Sequence, residues 1–179
     1  MSKKLFERLR SSTRYNHFYH FTDIANLPTI REFGLLSKTQ LSERGVICPQ
    51  PGGNAESNEK DAEQGISDYV SLCFTREHPM AYHCRNDRRH TDQHYLFIDP
   101  KVILIDGVKV SLSVANSHDA KLLHPDEAIE EMDLEVLYER TNWKDIGVQE
   151  RLKKARKYEL LVPSNVPRDL IVRRRPWNQ

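Results

Sequence analysis

The chain has 179 residues, 38% of them hydrophobic and 30% charged, which is enough for one domain with its own core. Its longest aliphatic run, residues 102–105, is far shorter than the roughly 20 apolar residues of a membrane-spanning helix. The N-terminus lacks the apolar segment of a secretory signal, and the three cysteines form no CxxC pair. We therefore expect a single cytoplasmic domain over residues 1–179, with reduced thiols, no bound metal and no membrane contact.

The formal net charge of +1 would argue against a nucleic-acid partner if the charges were evenly spread. However, residues 1–20 carry +4 and residues 149–179 carry +6, whereas residues 117–148 carry −6. A basic surface assembled from the two ends could attract phosphates, with Trp177 stacking on a base. The alternative is a set of ordinary solvated helix faces and a frayed tail, with Trp177 packed or disordered.

In chain order, the aromatic run at 18–21 predicts a strand, and apolar residues at helical spacing then predict a helix that Gly34 ends. Residues 42–67 are rich in proline, glycine and asparagine and have little to bury. They predict a long surface loop that binds substrate or moves, as long loops commonly do. Residues 69–74 predict a second strand, and a short helix follows at 78–84.

Residues 95–98 and 102–105 predict further strands. Asp106-Gly107 is a hairpin signal that would pair residues 108–111 with the second of these strands. The remaining pattern predicts one helix from Pro125 to about Leu137, another at 148–155, and strands at 158–162 and 170–172. Strands and helices are interspersed without regular βαβ units, which favours an α+β fold with a mixed or antiparallel sheet and flanking helices.

The motifs of several large enzyme classes are absent from the sequence: GxGxxG after a strand, GxxxxGK[ST], GxSxG and HExxH. Cys84, His90 and His94 could in principle bind zinc. Their irregular spacing and the lack of a second nearby cysteine instead favour packed or solvated histidines.

Two polar features in predicted strands are candidate functional groups. His20 and Thr22 are two positions apart, so their side chains share one face. The imidazole could donate to a ribose hydroxyl while the threonine contacts a neighbouring group. A core histidine that bonds a backbone carbonyl would give the same pattern.

Glu159 is the second feature, because it lies among apolar residues of a predicted strand. Burial of an unpaired ion costs several kcal/mol. Either the carboxylate has a function, or an exposed edge strand leaves it in solvent, paired with Lys157 or Arg168.

Taken together, three segments resemble, in the right order, the DarT-like ADP-ribosyltransferases. The first is His20-Phe21-Thr22 with Asn26-Leu27, Ile30 and Gly34-Leu35-Leu36-Ser37. The second is the strand at 69–74 with Pro79-Met80 and Tyr82. The third is Tyr158-Glu159-Leu160-Leu161-Val162-Pro163 with Val166-Pro167.

The resemblance implies an NAD-dependent transferase that modifies a nucleobase of single-stranded DNA, as a toxin countered by a macrodomain antitoxin. His20 and Thr22 would hold the ribose and nicotinamide side of NAD, the co-substrate, and Asn26 would be a weaker contact. Met80 and Tyr82 would line the nicotinamide or substrate pocket, and Glu159 would be catalytic. A carboxylate near the ribose 2′-hydroxyl stabilises an oxocarbenium-like transition state, and this needs no metal.

The chain also departs from the family pattern. Strand 69–74 differs from the usual V-P-F-Y-F, and residues 42–67, where family members hold substrate, align poorly. The family uses an arginine after the first helix; here Arg44 lies in that region, and Arg76, after the second strand, is a substitute candidate. These departures leave thymine, guanine, RNA or protein open as acceptor. A non-catalytic nucleic-acid-binding module, with His20 and Glu159 structural, is a third alternative.

Overall fold

The computed structural model of the chain describes residues 3–12 and 16–172. Its α-helices are α1 Lys3–Ser11, α2 Leu27–Phe33, α3 Lys38–Glu43, α4 Ala55–Glu63, α5 Pro79–Asn86, α6 Pro125–Glu131, α7 Leu134–Tyr138 and α8 Ile146–Ala155. Its strands are β1 Phe18–Asp23, β2 Leu35–Leu36, β3 Tyr69–Cys73, β4 Gln93–Ile98, β5 Lys109–Ser111, β6 Leu122–Leu123, β7 Glu159–Pro163, β8 Asn165–Val166 and β9 Ile171–Val172. Short 3₁₀ helices cover Ile24–Asn26, Pro100–Leu104 and Arg168–Leu170.

The main sheet has the strand order β6-β5-β7-β3-β1-β4-β9, and its neighbouring strands pair antiparallel. β2 and β8 form a separate antiparallel pair. The predicted α+β fold with an antiparallel sheet and flanking helices is confirmed. No helix in the described part of the chain is long and apolar enough to span a bilayer.

β7 is an inner strand, so the alternative of an exposed edge strand is wrong. It lies between β5 and β3, and its Leu160 and Val162 are fully buried in the main core. Leu161 packs on the opposite face, in a small second cluster with Ile66 and Ala115. Because side chains alternate along a strand, Glu159 shares the face of Leu161 and lies away from the main core.

The predicted strand at 102–105 is wrong, because this segment is the 3₁₀ helix Pro100–Leu104. Asp99 accepts the Lys101 N–H and Pro100 occupies the first turn, two features that start a helix rather than a strand. The aliphatic run reflects burial of Val102 and Ile103. The predicted hairpin is therefore absent, and β5 pairs instead with β6 and β7.

The prediction that residues 42–67 form a loop is wrong for α4. The side chain of Asn54 caps this helix, and Glu56 and Lys60 form an i,i+4 pair along it. No residue of α4 is buried, so the helix has no apolar face that a sequence pattern could show. The helix predicted from Pro125 is likewise two helices, α6 and α7, with Asp133 capping the second.

The charged segments that are separate in sequence meet in the fold. α1 packs against α6, and basic residues near the two ends pair with acidic residues of 117–148: Lys4–Glu130, Arg8–Glu139 and Arg151–Asp133. The predicted polarisation is therefore partly cancelled, because these cations are used within the fold. Trp177 and the basic run at 173–175 lie outside the described residues.

Candidate functional site

A cavity of about 570 Å³ opens beside the point where β1 meets β3. These two strands pair at one position, Tyr19 with Cys73. The next residue of β1, His20, instead places its Nδ1 3.2 Å from the backbone carbonyl of Ser71. The cavity walls come from β1, β3 and β7 and from residues of the 48–66 segment. The segment predicted to hold substrate thus contributes to the cavity.

His20 is a neutral hydrogen-bond acceptor towards the cavity. Burial lowers its pKa to about 4, although the Ser71 carbonyl opposes this effect. Nδ1 must donate to that carbonyl, because a carbonyl oxygen can only accept. The neutral ring then has a lone pair on Nε2. A bound hydroxyl would therefore donate to His20, the reverse of the direction expected from the sequence.

Thr22 and Asn26 also line the cavity. The Asn26 amide nitrogen donates to Thr22 Oγ1 at 3.0 Å and to the Gln50 carbonyl at 2.7 Å, while its oxygen accepts the Gln50 N–H at 2.9 Å. Both amide hydrogens of Asn26 are thereby used. Asn26 therefore anchors the segment at Gln50 to β1. Because the Thr22 hydroxyl oxygen accepts a hydrogen bond from the Asn26 amide, its hydroxyl hydrogen points away from Asn26.

Glu159 lines this cavity and is only 7% exposed. Its Oε2 accepts the Ala115 backbone N–H at 2.7 Å, and its Oε1 lies 3.3 Å from Nε2 of His78. Burial raises the pKa of Glu159 to about 8, the nearby Asp61 charge adds to this effect, and the Ala115 N–H opposes it. A buried carboxylate with a raised pKa in a cavity is a common property of catalytic groups.

Lys38 is a cavity-lining residue that the sequence analysis missed. Its ammonium group donates to Asn58 Oδ1 at 2.6 Å and pairs with Asp61, which also accepts from Asn116 at 2.9 Å. These contacts hold α4 over the cavity. The one feature of the sequence that could have indicated Lys38 is its position directly after the Gly34–Ser37 segment of the resemblance.

Some of the predicted site residues lie elsewhere. Met80 lines the cavity, but Tyr82 is 60% exposed and does not line it, because residues two apart on a helix do not share a face. Arg44 is exposed and donates to Gln40 at 2.9 Å. Arg76 is also exposed, and its carbonyl accepts the Tyr95 hydroxyl. Neither arginine side chain lines the cavity.

The zinc alternative has no geometric support. Cys84 Sγ donates to the Gly52 carbonyl at 3.2 Å, and His94 pairs with Asp92 at 2.9 Å. Among residues 3–12 and 16–172, no three His, Cys, Asp or Glu side chains are grouped as metal ligands.

Comparison with known proteins identifies a family match. A family model described as "ssDNA thymidine ADP-ribosyltransferase, DarT" matches residues 19–173. No curated protein sequence matches the chain. The family match confirms the resemblance and the predicted enzyme class.

Solved structures are similar in fold. DarT of Thermus sp. 2.9 in complex with ADP-ribosylated ssDNA has 20% identity and a TM-score of 0.66 over 90% of this chain and 81% of its own. The same protein in complex with NAD+ has 18% identity and a TM-score of 0.57, with the same coverage. Thermosipho africanus DarTG in complex with ADP-ribose has 18% identity and a TM-score of 0.62. The match covers 87% of this chain but only 42% of the longer DarTG chain.

Proposed function

The chain belongs to the DarT family of ssDNA thymidine ADP-ribosyltransferases, and on this premise we propose that it transfers ADP-ribose from NAD+ to thymidine in single-stranded DNA. The observation that carries the proposal is the burial of Glu159 in the cavity that His20 and Thr22 also line. NAD+ supplies the ADP-ribosyl group and leaves nicotinamide. The cavity volume, about 570 Å³, lies within the usual range for small-molecule sites.

Residues of β1 bind and orient the dinucleotide. His20 Nε2 accepts a ribose hydroxyl, because its Nδ1 already donates to Ser71. The Thr22 hydroxyl contacts a group of NAD+ next to that ribose hydroxyl, and Met80 lines the part of the cavity that holds nicotinamide. Asn26 acts indirectly by fixing the segment at Gln50. Lys38 provides positive charge for the phosphates, in place of Arg44 or Arg76.

Glu159 provides the charge that the reaction needs. An ionised carboxylate stabilises positive charge developing on the ribose more strongly in the transition state than in the ground state. The free protein holds this carboxyl largely protonated at neutral pH, because its pKa is about 8. A cationic nicotinamide ring beside it favours the ionised form. Binding of the co-substrate therefore prepares Glu159 for catalysis.

The family description favours a thymine base over the guanine, RNA and protein acceptors left open by the sequence. The solved structure of a DarT with ADP-ribosylated ssDNA supports DNA as the acceptor. An enzyme of this kind acts in the cytoplasm as a toxin, and the DarTG complex supports an antitoxin partner, for which a macrodomain is the expected type.

Labelled NAD+ and matched oligonucleotides test the proposal. Wild-type protein should label a thymidine-containing single strand but not a strand of equal length without thymidine. Glu159→Gln should lower transfer about 100-fold or more, whereas Glu130→Gln, a matched change at an exposed glutamate, should not alter it. Label on RNA or protein instead of DNA would contradict the proposal that DNA is the acceptor. Salt-sensitive DNA binding without nicotinamide release would favour the non-catalytic alternative.

A further inference from the structure

His78 is a buried histidine beside the proposed catalytic carboxylate, and none of the roles above uses it. It is 1% exposed and forms the N-cap of α5, where its Nδ1 accepts the Met80 backbone N–H at 3.2 Å. Burial lowers the pKa of His78 to about 4, so the ring is neutral at neutral pH. Because Nδ1 is an acceptor, the single ring proton is on Nε2.

Two acceptors lie near Nε2 of His78. One is Glu159 Oε1 at 3.3 Å, and the other is the backbone carbonyl of Lys157. Neither contact has the geometry of a full hydrogen bond, although the atom is buried. The Phe21 ring stacks on the imidazole with a centroid distance of 6.4 Å and an interplanar angle of 21°. The cap and the stacked ring fix the orientation of this donor.

We propose that His78 is a positioning residue for Glu159, holding the carboxylate between its own Nε2–H and the Ala115 N–H. This inference rests on the proposed function. An ionised carboxylate accepts hydrogen bonds at both oxygens, and each oxygen of Glu159 has one facing donor. Catalytic hydrogen bonds are often long in a free enzyme and shorten when the substrate binds. His78 thereby orients the carboxylate and favours its ionised form.

The other groups around the pair allow a clear pH readout. Cys73 on β3 and Asp61 on α4 face Glu159, and the Lys157 charge acts on His78. Burial raises the pKa of Cys73 well above its ordinary value, so this thiol stays neutral near pH 8. Loss of the His78 donor should raise the pKa of Glu159 further and move the acid limb of the activity profile to higher pH.

Two substitutions distinguish the roles of the two imidazole nitrogens of His78. His78→Asn keeps an acceptor for the Met80 N–H but removes the donor that faces Glu159. His78→Gln extends an amide to the position of Nε2 but weakens the cap. His124 caps α6 in the same way, accepting the Asp126 N–H at 3.2 Å, so His124→Asn is a matched control away from the cavity.

The experiment measures kcat, the KM for NAD+ and the pH profile of transfer to a thymidine-containing oligonucleotide, with thermal unfolding as a check of folding. His78→Asn should lower kcat about 10- to 100-fold, as expected for a hydrogen bond to a charged group. It should leave KM unchanged and shift the acid limb upward. His78→Gln should restore most of kcat, and His124→Asn should match wild type.

Three results have distinct meanings. An unchanged kcat and pH profile in a folded His78→Asn protein would overturn the inference while leaving the proposed function intact. Equal losses in the Asn and Gln variants, in proportion to lost stability, would also overturn it, since His78 would then serve only as a cap. Absence of transfer by the wild-type protein would instead overturn the proposed function.

Discussion

Replacement of Glu159 by glutamine should make the folded protein more stable at high pH. The native state holds this carboxyl protonated up to a pKa of about 8, whereas its ordinary value is 4.5. Between these values the native state binds one more proton than the unfolded chain, so the free energy of unfolding falls as pH rises. Glu159→Gln removes this titration. The difference in stability between variant and wild type should therefore grow with pH.

The magnitude follows from the titration window. Within it, the free energy of unfolding of wild type should fall by about 1.4 kcal/mol per pH unit relative to the variant. Over the window from 4.5 to about 8 the total is roughly 5 kcal/mol. Any difference in how the glutamine amide contacts the Ala115 N–H and His78 adds a constant offset, which does not change the slope.

Urea unfolding of both proteins at several pH values from 5 to 9 measures the difference directly. Glu56→Gln is the matched control, because Glu56 is exposed and its pairing with Lys60 lowers its pKa. Its difference from wild type should be shallow and confined to acid pH. A flat difference for Glu159→Gln across this range would refute the reasoning, since Glu159 would then be ionised in the folded protein at an ordinary pH.

Three further predictions concern the surroundings of the cavity. Gly34→Ala should lower the free energy of unfolding much more than Gly45→Ala does, as thermal unfolding of the two variants can show. Both glycines have positive φ, and the backbone strain of a side chain there costs about 1–2 kcal/mol in each variant. Only at Gly34 does the added Cβ also meet a backbone carbonyl oxygen, at 2.4 Å. Burial opposes ionisation of Asp23, yet N–H donors hold its pKa below the ordinary 3.8, so Asp23→Asn should destabilise the protein by roughly 1–3 kcal/mol at neutral pH. In denaturant unfolding this difference should shrink as pH falls below 3.8, where wild type loses the same stabilisation. Tyr82→Ala should weaken transfer to DNA about 10-fold if this exposed ring stacks on a base, whereas Trp143→Ala, at an equally exposed aromatic, should leave labelling unchanged.

The sheet strands that build the cavity could be predicted from the sequence because local patterns determine them. The aromatic run at 18–21 and the apolar segment at 158–162 have strong strand propensity, and both form inner strands. Period-two alternation of side chains along this strand puts Glu159 on the face opposite Leu160, in agreement with the fold. The sequence could not show whether that face was solvated, because the answer depends on distant segments at Ala115 and Asp61.

Features that depend on tertiary contacts were not predictable. α4 buries no residue and is held by polar contacts to Lys38 and Asn116, so it has no apolar periodicity. The basic α1 was expected to add to a phosphate-attracting surface, but packing against α6 brings it to acidic partners. Net charge along a segment therefore says little about surface potential until the packing of helices is known.

The position of Lys38 links co-substrate binding to α4. In the free protein its ammonium group is bound to Asn58 and Asp61, two residues of α4. A phosphate that takes this cation must compete with Asp61, and the displaced carboxylate then lies near Glu159, whose pKa the Asp61 charge already raises. Since a like charge disfavours ionisation, catalysis by an ionised Glu159 requires Asp61 to stay paired or to move away. Asn116, which also binds Asp61, provides the remaining partner that can hold it in place.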